Sequence, residues 1–227
     1  MRLSSLLFAP LAFPFLLVFF IFIGIVLVFI QVGIVSYAYE KIGVQRQYVF
    51  TLLFLSLMGS YINIPVAELP AERVLSGQEI SFFGMRYVVP LVEEWPRTVI
   101  AVNLGGAVIP TLLSLYLLMK NRIYGRGLLG VTIVSVITHQ LAQPVAGVGI
   151  AIPVFVPPLV AAGTGLLLAQ RHAPALAYIA GSVGTLIGAD LLNLDKIHGL
   201  GAPVVSIGGA GTFDGIFLTG LLAVLLA

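Results

Sequence analysis

Residues 204–227, VVSIGGAGTFDGIFLTGLLAVLLA, form an apolar run that a single acid, Asp214, interrupts. A helix of about 20 apolar residues is long enough to cross a bilayer, and this run has that length. An acidic side chain at bilayer depth costs about 3 kcal/mol on insertion scales, so such a residue usually faces a partner or a water-filled cavity. The stretch therefore predicts a membrane-spanning segment that carries a functional carboxylate.

The composition of the whole chain is that of a membrane protein. Of its 227 residues, 59% are hydrophobic and 9% are charged, whereas a soluble domain carries about 25% charged residues. The chain has no cysteine, which excludes disulfides and thiolate metal sites. Its basic residues are scattered, so no nucleic-acid partner is expected. We predict one integral-membrane domain, residues 1–227, whose main partner is the lipid bilayer.

Apolar stretches of spanning length predict an all-α, polytopic membrane helix bundle. We expect about seven transmembrane helices, within a range of six to eight, because four prolines make residues 127–169 ambiguous. The charged residues 68–97 are predicted to form an external loop with a short hairpin near Gly84. The first apolar stretch is too long for a signal peptide. The predicted spans are 6–38, 48–67, 98–119, 127–148, 151–169, 173–194 and 202–227.

Short basic loops predict the orientation of the chain in the membrane. They follow the first, third and fifth predicted spans and contain Lys41, Arg46, Lys120, Arg122, Arg126 and Arg171. By the positive-inside rule these loops are cytoplasmic. We therefore expect a protein of a prokaryotic cytoplasmic membrane, with its N-terminus outside and its C-terminus inside.

Two aspartates lie inside predicted spans, whereas every glutamate lies in a loop. Asp190 precedes the loop after the sixth span by about five residues, or about 8 Å of helix. Asp214 is 13 residues from Ala227, which leaves it about 10 Å below the same surface in a core of about 30 Å. The two carboxylates are thus predicted at matching depth, as a candidate catalytic pair. The alternative is that each only caps or ends a helix.

Glycines before Asp214 predict an unwound backbone. Gly208, Gly209 and Gly211 are close together, and glycine is unfavourable in helix interiors. Non-helical backbone at bilayer depth must line a cavity or be buried in protein. We expect the following helix to begin at Thr212 as its N-cap, with Asp214 in the first turn, where the helix dipole favours an anion.

Other polar side chains lie near these acids or inside another span. His139 is near the bilayer midplane of the fourth predicted span, Gln143 follows it, and Asn193 is three residues after Asp190. They are expected to form hydrogen bonds within the bundle or, together with the carboxylates, to relay protons or hold a cation. No HExxH pattern occurs, so neither a metal site nor a cofactor is predicted.

The segments IGADLLNLD and GGAGTFDGIFLTG resemble an uncharacterised prokaryotic family of multi-pass membrane proteins, over most of the chain. More loosely, they are similar to the GxGD intramembrane aspartyl proteases, the presenilin and signal-peptide-peptidase group. Residues 211–214 stand where that group has Gly-x-Gly-Asp, with Phe213 in place of the second glycine, and Ala189-Asp190 stands where it has Tyr-Asp. This resemblance implies that Asp190 and Asp214 share a proton, one serving as base toward water and the other as acid.

These observations lead to three hypotheses. The first is a membrane-embedded aspartyl hydrolase that cleaves transmembrane peptides, with Asp190 and Asp214 catalytic. The second is a transporter or channel that binds a proton or a small cation at the same carboxylates, with help from His139. The third is a structural membrane protein without a site. No oligomeric state is predicted.

Overall fold

A computed structural model describes residues 20–26, 33–69, 79–82, 85–88, 98–145, 149–197, 204–209 and 215–227. The chain separates into two compact units, Met1–Tyr37 and Ala38–Ala227. In the first unit, residues 20–26 are helical. The account below concerns the second unit, and the single domain of residues 1–227 stays a prediction.

Helices make up most of the described chain. They are α1 Ile34–Lys41, which crosses the boundary between the units, α2 Arg46–Gly59, α3 Ile109–Asn121, α4 Tyr124–Leu141, α5 Val156–Leu168, α6 Ala173–Thr185 and α7 Gly215–Leu226. Wider or tighter turns extend two of them. A π-helical turn, Leu104–Val108, leads into α3. Helix α6 continues through a π-helical turn, Leu186–Asp190, and a 3-10 segment, Leu191–Ile197.

Helix α6 is the centre of the bundle. Eleven of its thirteen residues are buried, and it packs against α3, α4, α5 and α7. Small residues permit this close packing: a Cβ at Gly165 of α5 would lie 2.5 Å from the carbonyl oxygen of Ala173, and one at Gly181 would lie 3.2 Å from the Cβ of Ala161. Contacts between small residues are typical of helices that pack within a membrane.

Successive helices alternate in direction, which collects basic residues at one end of the bundle. Lys41 Nζ donates to the carbonyl of Val224 at 3.4 Å, and Lys120 Nζ donates to that of Gly43 at 2.5 Å. These contacts bring together the end of α1, the connection that follows it and the last turns of α3 and α7. The α3–α4 and α5–α6 connections lie at the same end. This basic end contains Lys41, Arg46, Lys120, Arg122, Arg126 and Arg171.

A small sheet lies at the opposite end and makes the fold mostly helical rather than all-α. Its strands are β1 Asn63–Leu69, β4 Thr98–Asn103 and β7 Val204–Ile207, in the order β1-β4-β7. Strands β1 and β4 are antiparallel, while β4 and β7 are parallel. Two hairpins accompany this sheet: β2 Glu79–Phe82 with β3 Met85–Val88, and β5 Gln143–Val145 with β6 Gly149–Ala151.

The strands replace parts of the predicted helical spans. The second span was predicted over 48–67, but the helix ends at Gly59 and residues 63–69 form β1. The third and last spans begin with β4 and β7, and the fourth gives way to β5 after Leu141. Hydropathy shows how long an apolar stretch is but does not distinguish a helix from a strand. Valine and isoleucine in these segments favour strands, and Pro65 and Pro144 disfavour helix.

Two helices within the described ranges are long and apolar enough to cross a membrane. They are Leu104–Asn121, which combines the π-helical turn with α3, and Gln170–Ile197, which contains α6. Helices α5 and α7 are apolar but shorter, with 13 and 12 residues. At 1.5 Å per residue they extend about 20 and 18 Å. The predicted number of about seven spans therefore stays a prediction.

Candidate functional site

Asp190 ends the π-helical turn that follows α6. The turn Leu186–Asp190 has i→i+5 geometry, an arrangement that occurs mostly as short insertions at functional sites. Gly188 permits this turn to pack closely on α4, because a Cβ there would overlap the carbonyl oxygen of Ser135. The hydroxyl of Ser135 donates to the carbonyl of Gly184 at 3.1 Å. The turn that carries Asp190 thus packs closely against the backbone of α4.

The carboxylate of Asp190 is bound by the backbone after β7. Gly208 N–H donates to Asp190 Oδ2 at 2.7 Å, across 18 residues of sequence. Gly208 and Gly209 have φ values of +91° and +94°, which favour glycine. At Gly208 a Cβ would also lie 2.6 Å from Ala107. These two residues are the non-helical backbone that brings an N–H group to the partly buried acid.

Three irregular backbone segments meet at this point, which we call the Asp190 junction. It consists of the π-helical turns Leu104–Val108 and Leu186–Asp190 and of residues 207–209. Ala107, Leu186, Ile207 and Ile216 form one buried cluster there. Ile216 is the second residue of α7, so the start of that helix packs beside the turn that carries Asp190. Asp214, Thr212 and Gly211 lie outside the described residues.

Asn193 stabilises the end of the broken helix. Its side chain is 0% exposed. Its Nδ2 donates to the carbonyls of Gly188 at 2.8 Å and Ala189 at 2.9 Å, and its Oδ1 accepts a 2.7 Å hydrogen bond from Lys196 Nζ. Asn193 therefore satisfies carbonyl groups that an irregular helix end leaves open. Lys196 was not predicted, and its position three residues after Asn193 was the available signal.

A second buried amide supports the junction from the sheet side. Asn103 is 0% exposed, and its Nδ2 donates to the Ser60 carbonyl at 2.7 Å and to Asn63 Oδ1 at 3.0 Å. Its Oδ1 accepts from Gly106 N–H at 2.8 Å and so caps the turn Leu104–Val108. Ser206 of β7 donates to the same Asn63 oxygen. From the sequence, the expected role of Asn63 and Asn103 is hydrogen bonding between helices; in the structure they bond to each other between strands β1 and β4.

His139 lies on α4, and contacts along α4 and α6 indicate its level. The pairs Gly130–Ala180, Val134–Gly184 and Ser135–Gly188 show that the two helices run in parallel. His139, one turn beyond Ser135, is therefore level with the residues that follow Gly188. Its Nδ1 is buried and has no hydrogen-bond partner in the described part of the chain.

Gln143 is not in a helix and does not face the bundle interior. It begins β5, pairs with Ala151 and is exposed. Strand β6 of the same hairpin packs on the turn Leu186–Asp190 and on the segment Leu191–Ile197. Gln143 is thus close in sequence to the site but does not line it. In the ranges that the structure describes, no group of three or more His, Cys, Asp or Glu residues could hold a metal ion.

Four buried side-chain atoms differ from the two asparagine amides, because they have no hydrogen-bond partner within the described ranges. Within the described ranges, Ser114 Oγ on α3, Thr138 Oγ1 and His139 Nδ1 on α4 and Thr185 Oγ1 on α6 have no hydrogen-bond partner. Buried polar atoms are nearly always paired with protein or water. Unpaired buried atoms are therefore candidates for water binding or proton transfer.

A buried carboxylate at a break between apolar helices is typical of functional sites in membrane-embedded helical proteins. The chain belongs to the DUF1614 family, described as proteins of unknown function, whose family model matches residues 57–226. The matched range contains both Asp190 and Asp214. Comparison with curated proteins and with solved structures gave no significant match.

The family match confirms the predicted membership of an uncharacterised family. None of the comparisons supports the looser similarity to the GxGD proteases. Any activity of the site must therefore be argued from its geometry.

Proposed function

We propose that the chain is an integral membrane protein with about seven membrane-crossing segments. The low charge content and the two long apolar helices support this proposal. The collection of Lys and Arg residues at one end of the bundle supports a cytoplasmic basic end by the positive-inside rule. Since α7 ends beside Lys41, the C-terminus is then inside, and an odd number of spans leaves the N-terminus outside.

We propose further that Asp190 and Asp214 bind and release a proton or a small cation during transport across the membrane. The observation that carries this proposal is the Asp190 carboxylate. It lies at the irregular end of α6 and accepts a hydrogen bond from the N–H group of Gly208, directly after β7. Transporters commonly build ion and substrate sites from interrupted helices near mid-membrane. A rigid bundle alone would not require an acid at this position.

We propose Asp214 as the partner of Asp190 because the residues that follow it in the chain pack beside the Asp190 turn. Gly215, the residue bonded to Asp214, begins α7, and the adjacent Ile216 packs with Leu186 of the Asp190 turn. An ionised carboxylate has about four acceptor positions, and the described structure uses one of them on Gly208. The others are available to a proton, a cation or Asp214. Two nearby carboxylates do not ionise independently, so such a pair holds a proton readily.

Flux measurements on matched aspartate variants test this function. We would reconstitute the purified protein in liposomes and follow proton and alkali-cation flux under an imposed potential. We expect Asp190→Asn and Asp214→Asn each to lower the rate at least tenfold. Asp195→Asn is the control, because Asp195 is exposed and lies five residues from Asp190. Rates equal to wild type in all three variants would refute the proposal.

A second candidate function is intramembrane peptide hydrolysis, and the position of β7 favours it. In the described sheet β7 pairs only with β4, so its other edge is open, and this strand leads directly to Gly208. An extended substrate can add to an open strand edge. One aspartate would then take a proton from water as its oxygen attacks the peptide carbonyl, and the other would donate a proton to the departing nitrogen.

Cleavage assays separate the two functions. A panel of transmembrane peptides is incubated with the wild type and with the Asp190→Asn and Asp214→Asn variants. Cleavage that both variants lose favours the hydrolase. Ion flux that both variants lose, without any cleavage by the wild type, favours the transporter.

A further inference from the structure

Helix α6 carries a line of buried hydroxyl groups that leads toward Asp190. Tyr178, Ser182 and Thr185 are spaced i, i+4 and i+7 and therefore share one face of the helix. Their exposed fractions are 2%, 1% and 0%. We call these three residues the hydroxyl stripe. The hydroxyl of Ser182 lies beside that of Tyr178 and interacts with it, whereas the hydroxyl of Thr185 has no hydrogen-bond partner among the described residues, which is unusual for a buried polar atom.

The π-helical turn brings Asp190 toward the same face. In an unbroken α-helix, at about 100° per residue, Asp190 would point about 120° away from Tyr178. A π-helical turn contains an extra residue compared with an α-helical turn. The direction of the following side chains is therefore rotated back. The irregular turn Leu186–Asp190 thus places the carboxylate closer to the line of the hydroxyl stripe than a regular helix would.

The stripe continues in the other direction toward the basic end. The Ser182 hydroxyl and the Tyr178 ring both contact Gly220 of α7. Tyr39 of α1, which is also 2% exposed, is two residues from Lys41, whose ammonium group reaches the last turn of α7 at the basic end. Buried hydroxyls therefore extend along α6 from Tyr178, on the side of the basic end, for about 18 Å to Asp190.

We propose that the hydroxyl stripe is a proton path between the basic end of the bundle and the Asp190 carboxylate. This inference rests on the proposed transport function and identifies its ion as a proton. Residues at i and i+4 have Cβ atoms about 5–6 Å apart, a gap that one water molecule can bridge. Each hydroxyl accepts a proton on one side and passes its own proton to the next water.

At the end of the path Asp190 changes its protonation state. The carboxylate accepts a proton to become a carboxylic acid, and it returns to a carboxylate when the proton leaves toward the sheet end. The Gly208 N–H group holds one oxygen in place during the exchange. A metal cation would find no acidic side chain on the stripe between Tyr178 and Thr185, whereas a proton needs only hydroxyls and water.

Variants that remove single hydroxyls test the path. In liposomes with an internal pH-sensitive dye, a potassium gradient with valinomycin drives proton uptake. We expect Thr185→Val and Ser182→Ala each to lower the proton flux at least tenfold, and Thr185→Ser to restore at least half of the wild-type rate. Thr164→Val is the matched control, since Thr164 is also buried but its hydroxyl donates to the Val160 carbonyl at 2.7 Å. Its flux should stay within twofold of wild type.

The possible failures are distinguishable. If Thr185→Val and Ser182→Ala conduct protons at the wild-type rate while Asp190→Asn does not, the path is wrong and the proposed function stands. A wild-type protein that conducts alkali cations but no protons refutes the path alone, and one that conducts neither refutes both. Loss of flux in Thr164→Val to the same extent as in Thr185→Val would also overturn the path, because the effect would then reflect packing. Size-exclusion profiles of every variant exclude misfolding as the cause.

Discussion

At the scale of single residues, Gly208 illustrates how the backbone and the acid depend on each other. Its N–H group binds Asp190, and its positive φ and close approach to Ala107 leave no room for a side chain. The residue is therefore both a conformational requirement and a ligand of the carboxylate. The sequence predicted unwinding at this glycine, but it contained no signal that its partner would be Asp190.

We expect Gly208→Ala to destabilise the protein. Backbone strain at a positive φ costs about 1–3 kcal/mol, and the overlap with Ala107 adds to that cost. The melting temperature in detergent should fall clearly. Gly125→Ala is the control, because a Cβ at Gly125 of α4 meets no atom within 4 Å and alanine favours helix. Equal melting temperatures for Gly208→Ala and wild type would contradict the described geometry.

The hydroxyl stripe leads to a separate prediction about stability. Thr185 makes no hydrogen bond to the described protein groups, so Thr185→Val should leave the melting temperature unchanged or raise it. Thr164→Val removes a hydrogen bond to Val160 and should cost about 1 kcal/mol. The pair is compared by thermal unfolding in the same detergent. A larger loss of stability in Thr185→Val than in Thr164→Val would show that Thr185 has a partner.

At the scale of elements, the main irregular feature is the end of α6, where the helix passes through two different turn types. Asn193 holds this segment together through three hydrogen bonds. Because two of them are made to backbone carbonyls, the side chain replaces part of the regular helical pattern. The orientation of Asp190 thus depends on an amide that does not itself touch the carboxylate in the described structure.

Asn193→Ala should therefore weaken both the fold and the site. The loss of two buried carbonyl partners is expected to cost about 2–3 kcal/mol, measured as a drop in the free energy of unfolding. Asp195→Ala, two residues away and exposed, should change stability by less than about 0.5 kcal/mol. Equal free energies of unfolding for the two variants would show that the hydrogen bonds of Asn193 do not stabilise the end of α6.

The elements also show what the sequence could and could not predict. Apolar length located most helices, because burial or lipid contact requires long apolar stretches. The strands β1 and β4 were missed because valine- and isoleucine-rich segments pass the same hydropathy test as helices, whereas β7 lies in residues 203–211, for which the sequence predicts extended or loop-like backbone. Their pairing joins residues about 30 to 105 positions apart in sequence, which no local pattern encodes. The Asp190–Gly208 contact was not predicted for the same reason.

At the scale of the whole molecule, the two ends of the bundle differ in charge and in structure. Basic residues and short connections occupy one end, while the sheet and the Asp190 junction lie toward the other. The orientation predicted from loop charges depends on these same basic residues and stays a prediction. The asymmetry also means that the carboxylate is nearer to the end that we propose to face outward.

The absence of cysteine permits a direct test of this orientation. A single introduced cysteine is the only thiol in the 227 residues. We expect Val66→Cys, at an exposed position of β1, to react with a membrane-impermeant maleimide on intact cells. Gln170→Cys, exposed at the basic end, should react only after permeabilisation. The reverse pattern would invert the proposed topology.

The short length of α5 has a consequence for the surrounding lipid in the membrane orientation that we propose. A helix of about 20 Å does not match a hydrocarbon core of about 30 Å, and a bilayer adapts to a short helix by thinning, at a cost for every ångström. The side of the protein that presents this helix should therefore prefer lipids with short acyl chains. A protein of this shape would be sorted by membrane thickness, and its stability in liposomes should decrease as the acyl chains become longer.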